Sequence, residues 1–354
     1  MKVAILSVAD TRHMTPSSAY ERYFKENGIE YDLICSNKYS DVDNNKNHYR
    51  YSWTKTKRIN RLYKLYNYLR FYRFAKRIIK LNKYDFIVVW NENTAALFSH
   101  FLRHKYKNRY CVNIRDTVAD IGRASSLSWK AINNARFCTK PWVRDVEEYP
   151  PETYILLNED RKVLDKCEIR TSFNDFRTNP INLCYMGLGR IGLKTFKNIL
   201  LAFKNDSRFN LFFYGFECDT LVKDFVDNNQ IKNCFCYGSF PPEETAMILN
   251  KTDVIMNYYN TGGSQLKFTI GVKASYGPFI QVPQIVDDDT YWAEVCTKYG
   301  FGLPVKNENE LPDVLYNWLI GLDFVKFSEG CRKYRDFVRE TNDRFYSMCK
   351  EVFK

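Results

Sequence analysis

The chain has 354 residues, of which 45% are hydrophobic and 27% are charged. That balance is typical of globular proteins and excludes a disordered tail, a collagen-like chain and a small disulfide scaffold. The length predicts about two domains. No apolar run approaches the ~20 residues that span a bilayer, and the N-terminus lacks the apolar region of a secretory signal. None of the eleven cysteines stands in a Cys-x-x-Cys pair, so we expect free thiols and a cytoplasmic protein.

Short apolar runs alternate with helical stretches along the whole chain. Strands are predicted at residues 3–8, 31–35, 86–90, 110–114, 154–157, 181–186, 210–214, 234–237, 254–258, 279–282 and 302–305. Most of these runs are continuously apolar, which favours parallel strands covered by helices on both faces. We therefore predict an α/β fold of two Rossmann-like, doubly wound domains facing across a cleft.

A polar stretch at residues 159–180 separates the two halves and predicts the linker. We expect an N-terminal domain over residues 1–170 and a second domain over residues 171–325. Residues 326–354 are predicted to form a helix that packs back toward the first domain.

The net charge of +12 comes from one segment, residues 50–83, which holds twelve Lys and Arg and no acid. Aromatic residues are interleaved with these charges. The apolar spacing predicts two helices, or one helix kinked near Asn67. Such a surface suits an anionic membrane, nucleic acid phosphates, or simply solvent. We favour the membrane, contacted by Arg70, Arg73, Arg77 and Lys80, and expect no nucleic acid.

Two loops that follow strands of the second half suit a diphosphate. The first runs from Gly187 through Gly189 and carries Arg190 and Lys194. Glycines after a strand let backbone amides approach an anion, and the N-terminus of the next helix favours negative charge. The second loop has a similar composition and comprises Tyr258, Thr261, Gly262, Gly263, Ser264 and Lys267.

Residues 182–305 resemble the donor-binding domain of GT-B glycosyltransferases. The matching motifs are Tyr185-Met186-Gly187 with Arg190 and Lys194, residues 237–244, Asp253-Val254, residues 267–280 against the pattern KlyeylaaGkPvi, and residues 299–302. In that pattern Tyr276-Gly277-Pro278 takes the Gly-x-Pro region. The chain is most similar to capsule and exopolysaccharide transferases, including the galactofuranosyltransferase-like group. The resemblance also implies donor contacts at Tyr237 and Phe240.

One departure concerns the paired glutamates that retaining members carry in the phosphate-loop region. Residues 258–277 contain no acid, which leaves the retaining or inverting course open. No Asp-x-Asp pair predicts a metal site. Phosphate charge would be met by Arg190, Lys194, Lys267 and helix dipoles, so we expect no cofactor and no metal beyond the nucleotide-sugar co-substrate.

Acid/base candidates lie in loops after strands of the first half: Asp10, His13, Glu92 and Asp116. An inverting transferase needs one such group to take the proton of the acceptor hydroxyl. The resemblance implies a metal-independent glycosyltransferase that acts on a lipid-linked saccharide in surface polysaccharide synthesis, and with the basic segment it places the protein at the inner face of the membrane as a peripheral protein. Residues 171–325 would then bind the nucleotide-sugar donor, and residues 1–170 would lie on the acceptor and membrane side. A sugar-nucleotide epimerase and a basic nucleic-acid-binding protein are the alternatives.

Overall fold

A computed structural model of the chain describes residues 1–9, 14, 18–37, 48–53, 61–116, 118, 122, 124–145, 147–259, 267–268 and 270–354, with only the backbone of Ser18, Asn37, Arg61 and Arg190. The described chain divides into two compact units. The first comprises Met1–Leu157 with Glu340–Lys354, and the second comprises Asn158–Arg339. The division falls just before the polar stretch in which the sequence predicted the linker.

The first unit contains a parallel sheet with strand order β3-β2-β1-β4-β5-β6-β7 among the described residues. Its strands are β1 (Lys2–Ser7), β2 (Glu30–Asn37), β3 (His48–Ser52), β4 (Phe86–Trp90), β5 (Tyr110–Asn113), β6 (Phe137–Lys140) and β7 (Thr153–Ile155). Its helices are α1 (Ser18–Glu26), α2 (Arg61–Asn82), α3 (Glu92–Lys105) and α4 (Ser125–Ile132).

The second unit contains a parallel sheet with strand order β10-β9-β8-β11-β12-β13. Its helices are α5 (Arg161–Leu164), α6 (Gly189–Ala202), α7 (Lys223–Asn228), α8 (Thr245–Asn250), α9 (Val272–Ile280), α10 (Tyr291–Tyr299) and α11 (Leu311–Ile320). Its strands are β8 (Ile181–Met186), β9 (Phe209–Tyr214), β10 (Cys234–Tyr237), β11 (Val254–Asn257), β12 (Gln284–Asp287) and β13 (Gly302–Val305). The last helix, α12 (Phe324–Val352), begins in the second unit and ends in the first.

Strand β1 shows why continuous apolar runs form these sheets. Ala4 and Leu6 belong to one apolar cluster, and Val3 and Ile5 belong to another, because successive side chains of a strand point to opposite faces. All four are fully buried. Helices α2 and α3 contribute to the first cluster, whereas α1 and the end of α12 contribute to the second. The predicted α/β class with parallel sheets buried on both faces is confirmed.

Each sheet has a switch point, where the chain leaves the central strand in one direction and later returns on the other side. In the first sheet it lies between β1 and β4, and in the second between β8 and β11. Ligands of open α/β sheets bind beyond the carboxyl ends of the strands at such points. The loops after these four strands therefore mark the candidate site of each unit.

One strand prediction was wrong. Residues 279–282 were expected to form a strand, but α9 runs to Ile280 and the strand β12 begins at Gln284. Gln281 ends the helix in the left-handed conformation, at φ 59°, and Pro283 directly precedes the strand. An apolar run that belongs partly to a buried helix has the same composition as a strand, so periodicity could not separate them.

The basic segment also differs from expectation in part. A single helix, α2, runs through Asn67, whose side-chain amide donates to the Tyr63 carbonyl within that helix. Three observed strands were not predicted: β12, in place of the run at 279–282, and β3 and β6, which are short and contain polar residues. No helix within the described part of the chain combines the length and the hydrophobicity that crossing a bilayer requires.

Candidate functional site

The glycine turn after β8 is shaped by close backbone approaches. The amide of Gly187 donates to the Tyr214 carbonyl at 2.8 Å, and the amide of Gly189 donates to the Phe216 carbonyl at 2.7 Å. A side chain at Gly189 would collide with the backbone of Glu217. Glycine is therefore required at Gly189, because the first turn of α6 packs directly on the loop after β9.

Lys273 lies at the same switch point, in the first turn of α9. Its ammonium donates to the carbonyl of Met186, the last residue of β8, and lies 5.6 Å from the centre of the Tyr185 ring. Burial lowers the pKa of Lys273 to about 8. Among the described residues no carboxylate forms an ion pair with it. A cation held at the carboxyl end of the central strand, without an acid of its own, is suited to an anionic ligand.

The sequence analysis predicted Lys267 as a donor contact and did not single out Lys273. The structure places the Lys267 ammonium 2.5 Å from the Asp289 carboxylate, in an exposed ion pair. The turn from helix to strand, which the Gly-x-Pro region of the pattern describes, is Gln281-Val282-Pro283 rather than residues 276–278. Counting back eight positions from Gln281 places the lysine of the pattern at Lys273. The matching lysine was present in the sequence, but the wrong strand prediction shifted the alignment of the pattern with the chain.

Acidic side chains reach the loop after β11 from other elements. The Tyr258 hydroxyl donates to Glu308 at 2.7 Å, and the Tyr259 amide donates to Asp287 at 2.8 Å. The Thr195 hydroxyl of α6 donates to the Tyr259 carbonyl at 2.8 Å. This part of the chain thus has carboxylates nearby, although residues 258–277 contain none. The predicted contacts Thr261, Gly262, Gly263 and Ser264 lie outside the described residues.

Three aromatic side chains group at the ends of β9 and β10. The rings of Tyr214 and Tyr237 stack with centres 4.7 Å apart and planes 9° apart, and Phe240 meets Tyr214 edge-on at 6.0 Å. Tyr237 is 44% exposed. The structure therefore brings the predicted donor contacts Tyr237 and Phe240 together around Tyr214, which sequence reasoning did not single out.

The remaining predicted donor contacts lie in α6. Lys194 is exposed on this helix, and Arg190 lies in its first turn with only its backbone described. Among the described residues, no group of three or more His, Cys, Asp or Glu side chains is arranged to hold a metal ion.

At the switch point of the first unit, Glu92 begins α3 and is completely buried. One carboxylate oxygen accepts the backbone amides of Arg115 and Asp116, the latter at 3.0 Å. The other oxygen is buried and has no hydrogen-bond partner within the described part of the chain. Burial, followed by the charge of Asp116, raises the pKa of Glu92 to about 7. Asp116 itself is exposed, and Asp10 and His13 lie outside the described residues.

A buried lysine that the sequence did not reveal lies at the end of β6. Lys140 is 4% exposed, forms an ion pair with Asp145 and lies 4.9 Å from the centre of the Tyr149 ring. Burial lowers its pKa to about 8. Since β6 was not predicted, nothing in the sequence marked Lys140 as the end of a strand.

Helix α2 presents both charge and apolar surface to solvent. The four predicted membrane contacts, Arg70, Arg73, Arg77 and Lys80, are exposed. Leucines are exposed as well, with Leu62 at 76%, Leu65 at 55% and Leu69 at 50%. The buried face of the helix is a separate set comprising Phe71, Ala75 and Ile79.

No protein-family model matches the sequence, and no curated protein matches it. Solved structures do match in fold over the whole length. Sucrose-phosphate synthase from Thermosynechococcus elongatus superposes with a TM-score of 0.71 at 13% identity, over 100% of this chain and 98% of the other. WaaG, a glycosyltransferase involved in lipopolysaccharide biosynthesis, gives 0.65 at 12% identity, over 98% and 99%. UDP-GlcNAc 2-epimerase from Methanocaldococcus jannaschii gives 0.59 at 13% identity, over 96% and 100%. The two units with parallel Rossmann-like sheets thus have the fold of the GT-B glycosyltransferases, as the resemblance implied.

Proposed function

We propose that the chain is a glycosyltransferase that takes its sugar from a nucleoside-diphosphate donor. The observation that carries the proposal is the Lys273 ammonium at the second switch point, beside the glycine turn that opens α6. Transferases are prominent among proteins of this fold, and the 2-epimerase that shares it acts, by its name, on a nucleotide sugar.

The proposed chemistry is stabilisation of a departing diphosphate. As the bond from the sugar's anomeric carbon to the diphosphate oxygen breaks, negative charge grows on the diphosphate. Lys273 and the positive end of the α6 dipole would meet that charge without rearrangement, and preorganised charge of this kind is the most effective in electrostatic catalysis. The exposed Lys194 would add a further positive charge. We propose that these groups act without a metal ion.

Nucleoside diphosphate affinity tests this proposal. Lys273→Met should weaken binding of uridine, guanosine or thymidine diphosphate by about 10- to 150-fold, since a charged hydrogen bond to phosphate contributes about 1.5–3 kcal/mol. Lys267→Met is the matched control, because that lysine is exposed and already paired with Asp289. Calorimetry on the full chain measures both. Equal affinity for parent and Lys273→Met, or a larger loss in Lys267→Met, would remove Lys273 from the donor site.

We further propose that the acceptor is a lipid-linked saccharide of surface polysaccharide synthesis, in the manner of the capsule and galactofuranosyltransferase-like group, and that the protein sits on the inner face of the membrane. The support is helix α2, which has no acidic residue. Leu62, Leu65 and Leu69 recur at helical spacing and stay exposed among the basic side chains. Exposed leucines are not explained by a solvated face, whereas an anionic lipid surface accommodates both charges and leucines.

Sedimentation with vesicles of anionic phospholipid tests the membrane proposal. Replacing Leu62, Leu65 and Leu69 by Ser should leave only salt-sensitive binding, because attraction between exposed charges is screened within about 8 Å at physiological salt. Replacing Arg70, Arg73, Arg77 and Lys80 by Glu should abolish binding. The control replaces Ile169, Met247 and Val325, which are similarly exposed in the second unit, by Ser and should bind like the parent. Tight binding of duplex DNA without vesicle binding would favour the nucleic-acid alternative instead.

The epimerase alternative rests on the 2-epimerases that share the fold. The reaction product distinguishes the epimerase alternative from the transferase. A transferase releases nucleoside diphosphate as the sugar moves to an acceptor, whereas an isomerised nucleotide sugar that keeps its sugar would favour the epimerase.

A further inference from the structure

The first turn of α3 holds the loops on either side of the first switch point. Asn91 caps the helix, with its side-chain oxygen accepting the Thr94 amide at 2.9 Å. The Thr94 hydroxyl oxygen accepts the amide of Val8, which follows β1, at 3.0 Å. Glu92 accepts the amides of Arg115 and Asp116, which follow β5. One helical turn thus fixes the backbone beyond both neighbouring strands.

The backbone before this turn is held in an uncommon conformation. Asn91 has φ 68° and ψ 164°, a region that residues other than glycine seldom occupy. It is kept there by its side-chain cap and by its own amide, which donates to the Asn113 carbonyl at 3.0 Å. The Ser128 hydroxyl of α4 donates to the Glu92 carbonyl at 2.7 Å. This conformation directs the Glu92 side chain under the loop after β5 rather than out to solvent.

Burial separates the roles of the two acids. Glu92 is completely buried and its bonded oxygen already receives two amides, so it lacks the access that a group needs to take a proton from an acceptor. Asp116 is exposed, and its backbone is the one that Glu92 holds.

We propose that Glu92 is a positioning residue, which fixes the loop after β5 so that the Asp116 carboxylate takes the proton of the acceptor hydroxyl. The inference rests on the proposed function. In the step, the acceptor oxygen forms a bond to the anomeric carbon while its proton passes to Asp116. The bond from that carbon to the diphosphate oxygen breaks, and its electron pair leaves with the diphosphate.

Three variants of the full chain separate positioning from proton transfer. Glu92→Gln keeps a side-chain oxygen that can accept the two amides. Glu92→Ala removes that acceptor, and Asp116→Asn keeps the loop but removes the base. The first readout needs no ligand: hydrogen exchange of the Arg115 and Asp116 amides. We expect protection in the parent, Glu92→Gln and Asp116→Asn, and loss of protection in Glu92→Ala.

The second readout is nucleoside diphosphate release from UDP-glucose, UDP-galactose, UDP-GlcNAc, GDP-mannose and TDP-rhamnose, with water or added saccharide as acceptor. Asp116→Asn should slow release about 10²- to 10⁴-fold, the usual contribution of a general base. Glu92→Ala should lower kcat about 100-fold, as expected for a misplaced reacting group, and Glu92→Gln should restore most of that loss. Affinity for the nucleoside diphosphate should stay unchanged in all three.

Parent-like exchange and release in Glu92→Ala would overturn the proposal. So would a loss in Glu92→Gln as large as in Asp116→Asn, because Glu92 would then itself take the proton. If instead the parent binds no nucleoside diphosphate, the proposed function fails, while the exchange result still decides whether Glu92 holds the loop.

Discussion

At the first switch point a buried carboxylate receives two backbone amides, whereas at the second a lysine ammonium donates to a backbone carbonyl. The two sheets share the same arrangement of a central strand and a return on its other side. Burial acts on both groups in the same physical way, by disfavouring the charged form. It raises the pKa of Glu92 to about 7 and lowers that of Lys273 to about 8. The same topology therefore holds an acid and a base whose pKa values are shifted toward neutrality from opposite directions, the acid in the proposed positioning role and the lysine at the proposed donor site.

The largest expected effect concerns the stability linked to Glu92. Its folded pKa of about 7 lies above the ordinary value of 4.5, so between these pH values the folded chain keeps a proton that the unfolded chain has lost. The stabilisation that comes from this proton is fully present below pH 4.5 and is lost as the pH rises through 7. Over that range the free energy of unfolding of the parent should fall by about 3 kcal/mol, whereas that of Glu92→Gln should not show this fall.

Urea unfolding at pH 5 and pH 8 measures this difference, with the exposed Glu340→Gln as a control that should follow the parent. Of the residues that the structure describes, the charged and titratable groups facing Glu92 are Asp116, Arg115 and Tyr149. Asp116→Asn removes the facing negative charge and should reduce the effect without abolishing it, because burial is the larger cause. Identical pH dependence in parent and Glu92→Gln would show that the carboxylate is not held as the structure implies.

A smaller effect should appear at the other switch point. With the pKa of Lys273 at about 8, a growing share of the free protein has a neutral lysine above that pH. Affinity for uridine diphosphate should then fall by up to about tenfold per pH unit above 8, which corresponds to about 1.4 kcal/mol. Lys273→Arg keeps its charge and should bind with little change between pH 7 and 9. Calorimetry between pH 7 and 9 measures both affinities. An affinity of the parent that does not change with pH would show that burial does not shift the pKa of Lys273 as it shifts that of Glu92.

The sequence alone predicted the fold well because parallel strands that are buried on both faces appear as continuous apolar runs. The runs at 181–186 and 234–237 coincide with β8 and β10. It failed where composition is shared between structures, as at residues 279–282, and where a strand is short and polar, as in β3. The glycine turn after β8 was found because its residues are adjacent in the chain.

The contacts that define the two sites join residues far apart in the sequence. Glu92 meets the amides of Arg115 and Asp116, Tyr258 meets Glu308, and Lys273 meets Met186. Spacing within one element carries no information on such pairs, since only the assembled sheet brings them together. Glu92 was therefore singled out by its place after a strand, but its burial, and with it its role, could not be predicted.

The return of α12 to the first unit has a consequence for synthesis on the ribosome. Phe353 packs edge-on against Phe24 at 5.0 Å and Phe86 at 5.1 Å, and the side-chain oxygen of Asn342 accepts the Leu157 amide at 2.8 Å. Asn342 and Phe353 are translated only after the whole second unit. We expect the second unit to close its core first, so that the half of the protein made earliest is the half that finishes folding last.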